Sequence, residues 1–176
     1  MNIAGIVKDD YVNGPGIRLS LYVSGCTHHC PGCFQSETWD FNFGKLYTID
    51  TKNDIIRELR KDYYSGLTLL GGDPMEIPNQ IYLCSLISTI KREFRESRTI
   101  WVYTGYYYED FLKDGKQYID PYTKFIMKDI DIMVDGPFEQ DKKDLTLKFK
   151  GSSNQRIINV QKSMEKNQIV LDPLND

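Results

Sequence analysis

Residues 17–33 read IRLSLYVSGCTHHCPGC, and this stretch decides the fold because a strand pattern runs directly into three closely spaced cysteines. Apolar side chains alternate along Ile17–Val23, as they do in a half-buried β-strand. The loop after it carries Cys26, Cys30 and Cys33. Three thiols this close cannot all pair with one another, and the chain has one other cysteine, Cys84. The loop is therefore a metal-binding loop, a redox dithiol or a chance cluster.

Strand and helix patterns alternate along the rest of the chain. Helices are predicted for residues 51–63, 79–96 and 120–128, and strands for residues 67–70, 99–103, 130–134 and 157–160. Thr51 and Asp54 resemble a capping box at the start of the first helix. Strand, crossover helix and strand in repetition predict an α/β fold with a mainly parallel sheet. We expect residues 1–176 to form one domain.

Four of the predicted strands end in unusual loops. These are the cysteine loop, the turn Gly71-Gly72-Asp73-Pro74, residues 103–106 and residues 135–138. In parallel α/β sheets, ligands bind at the carboxyl ends of the strands. The sequence therefore predicts that these loops meet at one edge of the sheet and form a single site.

Composition narrows the class of protein. The chain has 176 residues, of which 40% are hydrophobic and 27% charged, and its net charge of −3 gives no reason to expect nucleic acid as a partner. No apolar run approaches the ~18 residues of a membrane span. The first ten residues do not resemble a signal peptide, so we expect a cytoplasmic protein. In a reducing compartment, clustered cysteines bind metal or do redox work more often than they form disulfides.

Three kinds of cysteine site compete at this point. Structural zinc would need a fourth ligand, from His28, His29 or Cys84, and zinc ribbons usually present paired CxxC motifs. A redox dithiol formed by Cys30 and Cys33 has the correct spacing but leaves Cys26 unexplained. An iron–sulfur cluster can be held by three cysteines, with one iron left open to another ligand.

Further motifs favour the iron–sulfur cluster among these three kinds of site, because they resemble the motifs of a known superfamily. Cys-x3-Cys-x2-Cys after the first strand, followed by a Gly-Gly-acid-Pro turn, resembles the radical S-adenosylmethionine superfamily. Within it, four more segments are similar to the activating proteins of anaerobic (class III) ribonucleoside-triphosphate reductases: residues 12–18, 101–106, 134–138 and 151–156. The motifs follow the family's order, and the short chain fits this family better than the longer pyruvate formate-lyase activases.

The resemblance implies both a fold and an activity. The fold would be an incomplete, open parallel β/α barrel, because 176 residues are too few for the ~250 of a full barrel. A 4Fe-4S cluster would bind S-adenosylmethionine and cleave it reductively, and the resulting 5′-deoxyadenosyl radical would take a hydrogen atom from a glycine of the reductase. An electron donor such as flavodoxin would supply the electron. The alternatives are an activase of another glycyl radical enzyme, a small-molecule radical enzyme, or a non-catalytic zinc-stabilised interaction module.

The resemblance also assigns site residues. The cluster ligands would be Cys26, Cys30 and Cys33. The cofactor would contact Gly32, Cys33, Phe34, Gly71, Gly72, Asp73, Pro74 and Thr104. The turn at residues 71–74 would receive the methionine end, because glycines let a backbone approach a ligand closely.

Other residues are given structural roles. We expect His28 and His29 to be exposed spacers and Cys84 to be a core residue. We expect the polar segment 138–176 to dock a partner rather than to seal a cavity.

Overall fold

The computed structural model describes residues 1–112 and 120–175, and its strands form one seven-stranded sheet. The strands are β1 (Asn2–Asp10), β2 (Ile17–Val23), β3 (Lys45–Leu46), β4 (Tyr64–Gly71), β5 (Thr99–Tyr103), β6 (Ile132–Asp135) and β7 (Arg156–Asn159). The helices are α1 (Ile49–Leu59), α2 (Ile77–Phe94), α3 (Pro121–Asp129) and α4 (Val160–Lys166). Within the described residues, no helix is both long and apolar enough to cross a membrane.

The sheet has a parallel centre with antiparallel strands on both sides. Its order is β3-β1-β2-β4-β5-β6-β7. Strands β2, β4, β5 and β6 are parallel neighbours, and α1, α2 and α3 connect them in turn. Strand β1 pairs antiparallel with β2, and β7 pairs antiparallel with β6. The predicted α/β fold is confirmed, and the sheet is mixed, with parallel pairing at its centre.

The predicted elements exist, but several of their bounds differ and three elements were not predicted. Helix α1 ends at Leu59 rather than near residue 63, because Tyr64 already begins β4. Strand β6 begins at Ile132 rather than at residue 130. The unpredicted elements are β1, β3 and α4.

The start of α1 corrects the predicted capping box. The N-cap is Thr48, whose side chain accepts a hydrogen bond from the Thr51 backbone N–H at 3.2 Å, while the Thr51 side chain accepts from the Thr48 backbone N–H. Asp54 instead forms an exposed ion pair with Arg57. Thr51 is therefore the third residue of the helix and not its cap.

This correction can be tested by mutation. We expect Thr48→Ala to lower the free energy of unfolding by about 1 kcal/mol, because one backbone N–H loses its partner. Asp54→Ala removes only an exposed ion pair and should cost less than about 0.5 kcal/mol. Urea unfolding of both variants measures the difference, and an equal or larger loss in Asp54→Ala would contradict the observed cap.

The two faces of the sheet bury different kinds of side chain. Helices α1, α2 and α3 cover one face with an aliphatic core that includes Leu19, Leu21, Leu67, Leu69, Ile100 and Val102. The opposite, inner face carries the alternate residues, among them Arg18, Ser20, Tyr22, Thr68, Trp101 and Tyr103. The inner face is therefore more polar and more aromatic than the helix-covered face.

Arg18 is fully buried on the inner face and ties three strands together. Its guanidinium donates to the Thr68 hydroxyl at 2.6 Å, and to the hydroxyl and carbonyl oxygens of Thr99 at 3.0 Å each. These acceptors are uncharged, and burial lowers the pKa of Arg18 to about 10. Arg18 thus satisfies its donors inside the fold. Its role within the motif at residues 12–18 is therefore to join strands and not to contact a ligand.

Candidate functional site

A cavity of about 600 Å³ opens at the carboxyl ends of β2, β4 and β5 and extends over the inner face of the sheet. Its volume is in the range of small-molecule and cofactor sites. Most of the residues predicted for the site line it: Cys26, Cys30, Cys33, Phe34, Gly71, Gly72, Asp73 and Thr104. Gly32 and Pro74 lie outside its wall; Gly32 faces the side chain of Gln140, and Pro74 is buried in the turn.

All four cysteines are free thiols. Cys26 is buried, whereas Cys30 and Cys33 are half-buried, and all three line the cavity. Burial, reinforced by the nearby Asp73 carboxylate, raises the pKa of the Cys26 thiol to about 12. An inner thiol of this kind becomes a thiolate only when a metal compensates its charge. Cys84 lies on α2 and is half-buried, packed against the helix-side core rather than within it.

The cysteine loop is held by backbone and side-chain hydrogen bonds at its start. The Gly25 N–H donates to the Thr38 carbonyl at 2.7 Å, and the Cys26 N–H donates to the Trp39 carbonyl at 3.2 Å. Glu76, just before α2, accepts from both the backbone N–H and the hydroxyl of Thr27, at 2.7 and 2.6 Å. The loop is therefore placed by two other segments before any ligand binds.

The three thiols of the loop all line the cavity. Within the described part of the chain, no three His, Cys, Asp or Glu side chains are close enough together to bind one metal ion. A structural zinc site requires four ligands that converge on one point. In a 4Fe-4S cluster, each thiolate binds its own iron, so three thiols that line one cavity are compatible with it.

The turn at residues 71–74 packs directly on the cysteine loop. The Gly72 N–H donates to the Val23 carbonyl, and the Asp73 N–H donates to the Gly25 carbonyl, both at 2.8 Å. A side chain at Gly72 would place its Cβ 2.6 Å from the Gly25 carbonyl oxygen and 2.9 Å from that of Thr38. Gly72 is therefore required for contact between two protein backbones, which differs from the expected close approach to a ligand.

Asp73 joins three loops through its buried carboxylate, which is only 1% exposed. One carboxylate oxygen accepts from the Met75 N–H at 2.8 Å. The other accepts from the Thr104 hydroxyl at 3.0 Å and the Gly105 N–H at 2.9 Å, and lies 3.0 Å from His28 Nε2. Both oxygens are thus engaged by protein groups, and the carboxylate fixes the turn against the loop after β5.

We expect Asp73→Asn to lower the free energy of unfolding by about 2 kcal/mol, because an amide N–H₂ would then face the donor N–H of Gly105. The cofactor role that the sequence resemblance implies for this turn would then be weakened too, which the spectrum of the cluster follows as S-adenosylmethionine is added. Asp131→Asn is the matched control, since Asp131 accepts from the Ile100 N–H at 2.7 Å and pairs with Lys91 at the opposite edge of the sheet. A control variant that lost cofactor binding equally would contradict a specific role for Asp73.

The two histidines differ, and the expectation that both are exposed spacers is wrong for His28. The His28 side chain is 18% exposed and packs edge-on against Tyr106, with ring centroids 4.4 Å apart. Burial lowers the pKa of His28, but the hydrogen bond and charge of Asp73 outweigh it and raise the pKa overall. His29 is exposed, as predicted, and stacks on Trp39.

The segment after β6 forms part of the cavity wall, and the expectation that it docks a partner rather than seals a cavity stays a prediction. Residues 144–151 form a loop whose base is an antiparallel bridge between Lys143 and Ser152. This loop contributes Leu145, Leu147 and Phe149 to the cavity lining. Phe149 packs on Trp101 with ring centroids 5.6 Å apart, which holds the loop over the inner face.

Sequence reasoning missed several cavity residues. Tyr22, Leu70 and Tyr103 line the cavity and are the last inward-facing residues of β2, β4 and β5. The period-2 alternation of each strand could have identified them, because it places them on the face opposite the aliphatic core. Residues 144–151 carried no comparable signal, since the segment is irregular.

The fold and the site define a class of protein. A family model described as a 4Fe-4S single cluster domain matches residues 12–158, which include the three cysteines of the loop. The chain therefore carries a 4Fe-4S single cluster domain.

Curated relatives identify the family within that class. The chain is 39% identical to the anaerobic ribonucleoside-triphosphate reductase-activating protein of Enterobacteria phage T4, over 89% of this chain and 93% of that protein. It is 40% identical to the protein of the same name from Vibrio cholerae, over 89% and 97% of the two chains, and 39% identical to that of Escherichia coli K12, over 88% and 96%. The chain belongs to the family of anaerobic ribonucleoside-triphosphate reductase-activating proteins.

Proposed function

We propose that this protein is a radical S-adenosylmethionine enzyme that generates a glycyl radical on an anaerobic ribonucleoside-triphosphate reductase. The observation that carries the proposal is that three free thiols of one loop line the same cavity as Gly71, Gly72 and Asp73 of the following turn, in a chain of this family. When bound, the reduced cluster and S-adenosylmethionine supply the one-electron chemistry that removes a hydrogen atom from a glycine.

The residues of the chain would hold and orient these groups. Cys26, Cys30 and Cys33 would each bind one iron, which leaves the fourth iron to the amino and carboxylate groups of S-adenosylmethionine. Phe34 and Thr104 line the same cavity and would contact the remainder of the cofactor. Because the carboxylate of Asp73 is engaged by protein groups, we propose that it positions the turn, while backbone atoms of the turn receive the methionine end.

We interpret the sheet as an incomplete, open parallel β/α barrel of the radical S-adenosylmethionine type, formed by a single domain. Its four parallel strands run in one direction toward the cavity, and the loop at residues 12–13 and the loop at residues 144–151 both contribute to the cavity lining. An open side would admit a segment of a protein substrate. An electron donor such as flavodoxin, which rests on the family resemblance, completes the proposal together with the expected cytoplasmic location.

Electron paramagnetic resonance tests the proposal. The protein is purified without oxygen, loaded with its cluster, reduced, and mixed with S-adenosylmethionine and the reductase. We expect a glycine-centred doublet on the reductase, which disappears when the reductase glycine is changed to alanine. Without the reductase, we expect only slow cleavage of S-adenosylmethionine.

Two outcomes would contradict the proposal in different ways. A colourless protein that binds a single zinc would favour a non-catalytic interaction module. Rapid turnover of a free metabolite, with no radical on any reductase, would favour a small-molecule radical enzyme and leave the cluster and cofactor assignments in place.

A further inference from the structure

The cavity contains a polar group that the cluster and the Gly-Gly-Asp-Pro turn do not use. The side chain of Tyr103, the last residue of β5, lines the cavity on the inner face. Its hydroxyl oxygen is buried and has no hydrogen-bond partner among residues 1–112 and 120–175. A buried polar atom without a partner costs free energy, so such an atom in a cavity wall indicates a ligand that completes its hydrogen bond.

The hydroxyl lies on the inner face, away from the cysteine loop. The charged and ionisable groups that act on Tyr103 are Arg18, Asp10 and Tyr22, all of which belong to β1 and β2. The Tyr22 hydroxyl already accepts from the Asn13 side chain at 3.1 Å, and the Asp10 carboxylate accepts from Ser20 and Asn13. The neighbouring polar groups are therefore occupied with one another, whereas Tyr103 is available.

The chemistry of this region selects a neutral hydrogen-bond acceptor. Burial raises the pKa of Tyr103, so the phenol stays protonated at physiological pH and can donate. Tyr103 and Phe149 both pack against the apolar cluster around Trp101, and Leu70 and Leu147 also line the cavity. A carbonyl oxygen of a polypeptide backbone meets both conditions, because it accepts without carrying a charge into the cavity.

The mouth of the cavity has the character of a protein-contact surface. Val12 and Leu145 line the cavity and are 75% and 84% exposed, the two most exposed large apolar side chains in the described part of the chain. Exposed apolar residues grouped at one opening are typical of interaction sites. A polypeptide segment that enters between them would pass over the inner face toward Tyr103.

We propose that the Tyr103 hydroxyl positions the glycine-bearing segment of the partner protein by donating a hydrogen bond to one of its backbone carbonyl oxygens. This inference rests on the proposed function and adds a positioning residue to it. The hydrogen bond would hold the segment in the part of the cavity away from the cysteine loop. The glycine could then face the cofactor without a charged contact from the protein.

The test compares two Tyr→Phe variants of the cluster-loaded protein with the reductase as partner. Tyr103→Phe removes only the hydroxyl, and we expect the reductase concentration that gives half-maximal radical formation to rise about five-fold, as for loss of one neutral hydrogen bond. Tyr47→Phe is the matched control, because the Tyr47 hydroxyl is also buried and without a partner among the described residues, but Tyr47 lines a separate groove beside α1 and α2. Its half-maximal concentration should match that of the wild type.

A second variant tests whether the exposed apolar residues at the cavity opening contact the reductase. Leu145→Ser changes an exposed side chain, and it should also raise the half-maximal reductase concentration while iron content stays the same. Iron content and the affinity for S-adenosylmethionine are measured for every variant. Tyr103→Phe should match the wild type in both quantities, since the hydroxyl serves the partner and not the cofactor.

The outcomes separate this inference from the proposed function. Equal reductase dependence of Tyr103→Phe and Tyr47→Phe would overturn the inference, since the hydroxyl would then only pack. A loss of S-adenosylmethionine affinity with unchanged reductase dependence would also overturn it. A wild-type protein that forms no radical on the reductase would overturn the proposed function, and the inference with it.

Discussion

Cys30→Ala should reduce bound iron from about four per chain to near background, with loss of the brown colour of the anaerobically loaded protein. Cys30 lines the cavity with Cys26 and Cys33, and the three thiols share one loop. Because a three-cysteine cluster has no spare protein ligand, removal of any one leaves an iron without its thiolate. The same loss is expected for the alanine variants of Cys26 and Cys33. Iron analysis and the visible absorption spectrum measure it.

Cys84→Ala is the matched control for this loss. Cys84 lies on α2 and packs against the helix-side core, and it is not among the residues that line the cavity. The variant should retain about four irons and lose only about 1 kcal/mol of stability, because one half-buried sulfur is removed. A Cys84 variant without iron would contradict the three-ligand assignment and favour a four-cysteine site.

The sequence predicted the centre of the sheet better than its edges. The strands β2, β4, β5 and β6 have clear apolar patterns because helices cover one of their faces. Strand β1 escaped prediction because register shifts at Ile3/Gly5 and Val7/Asp10 interrupt its alternation. Local pattern therefore suffices where a strand is regular and buried, and fails where bulges break the period.

The site also divides into features that local sequence pattern predicts and features that depend on distant contacts. Parallel strands bring their carboxyl ends to one edge of the sheet, so the loops after β2, β4 and β5 could be placed together from sequence. The burial of His28 could not be predicted from the sequence, because it depends on Asp73, which lies 45 residues further along the chain. The position of the loop at residues 144–151 likewise depends on distant contacts, such as Phe149 with Trp101 and Lys150 with the Asn175 carbonyl.

The role of Gly72 shows how the structure changes the meaning of a motif residue. From the sequence, the two glycines of the turn are expected to let backbone atoms approach the cofactor. In the structure, the side-chain direction of Gly72 points at the backbone of Gly25, which begins the cysteine loop. The two explanations predict different losses when a methyl group is added.

Gly72→Ala should therefore lower both the stability of the protein and its iron content. The added Cβ would lie 2.6 Å from the Gly25 carbonyl oxygen and 2.9 Å from the Gly25 nitrogen, distances that backbone atoms cannot relieve without moving. We expect a loss of about 3 kcal/mol in the free energy of unfolding. Displacement of Gly25 should also move Cys26, so that iron falls well below the wild-type content.

Gly5→Ala is the matched control, because a Cβ at Gly5 meets nothing within 4 Å. It adds the same methyl group to a strand residue, and it should keep wild-type iron content and stability within about 0.5 kcal/mol. If Gly72→Ala kept its iron and lost only S-adenosylmethionine binding, the glycine would serve the cofactor as the motif suggests. If it lost iron as well, while Gly5→Ala did not, the turn would act first as a support for the cysteine loop, and cofactor binding would depend on that support.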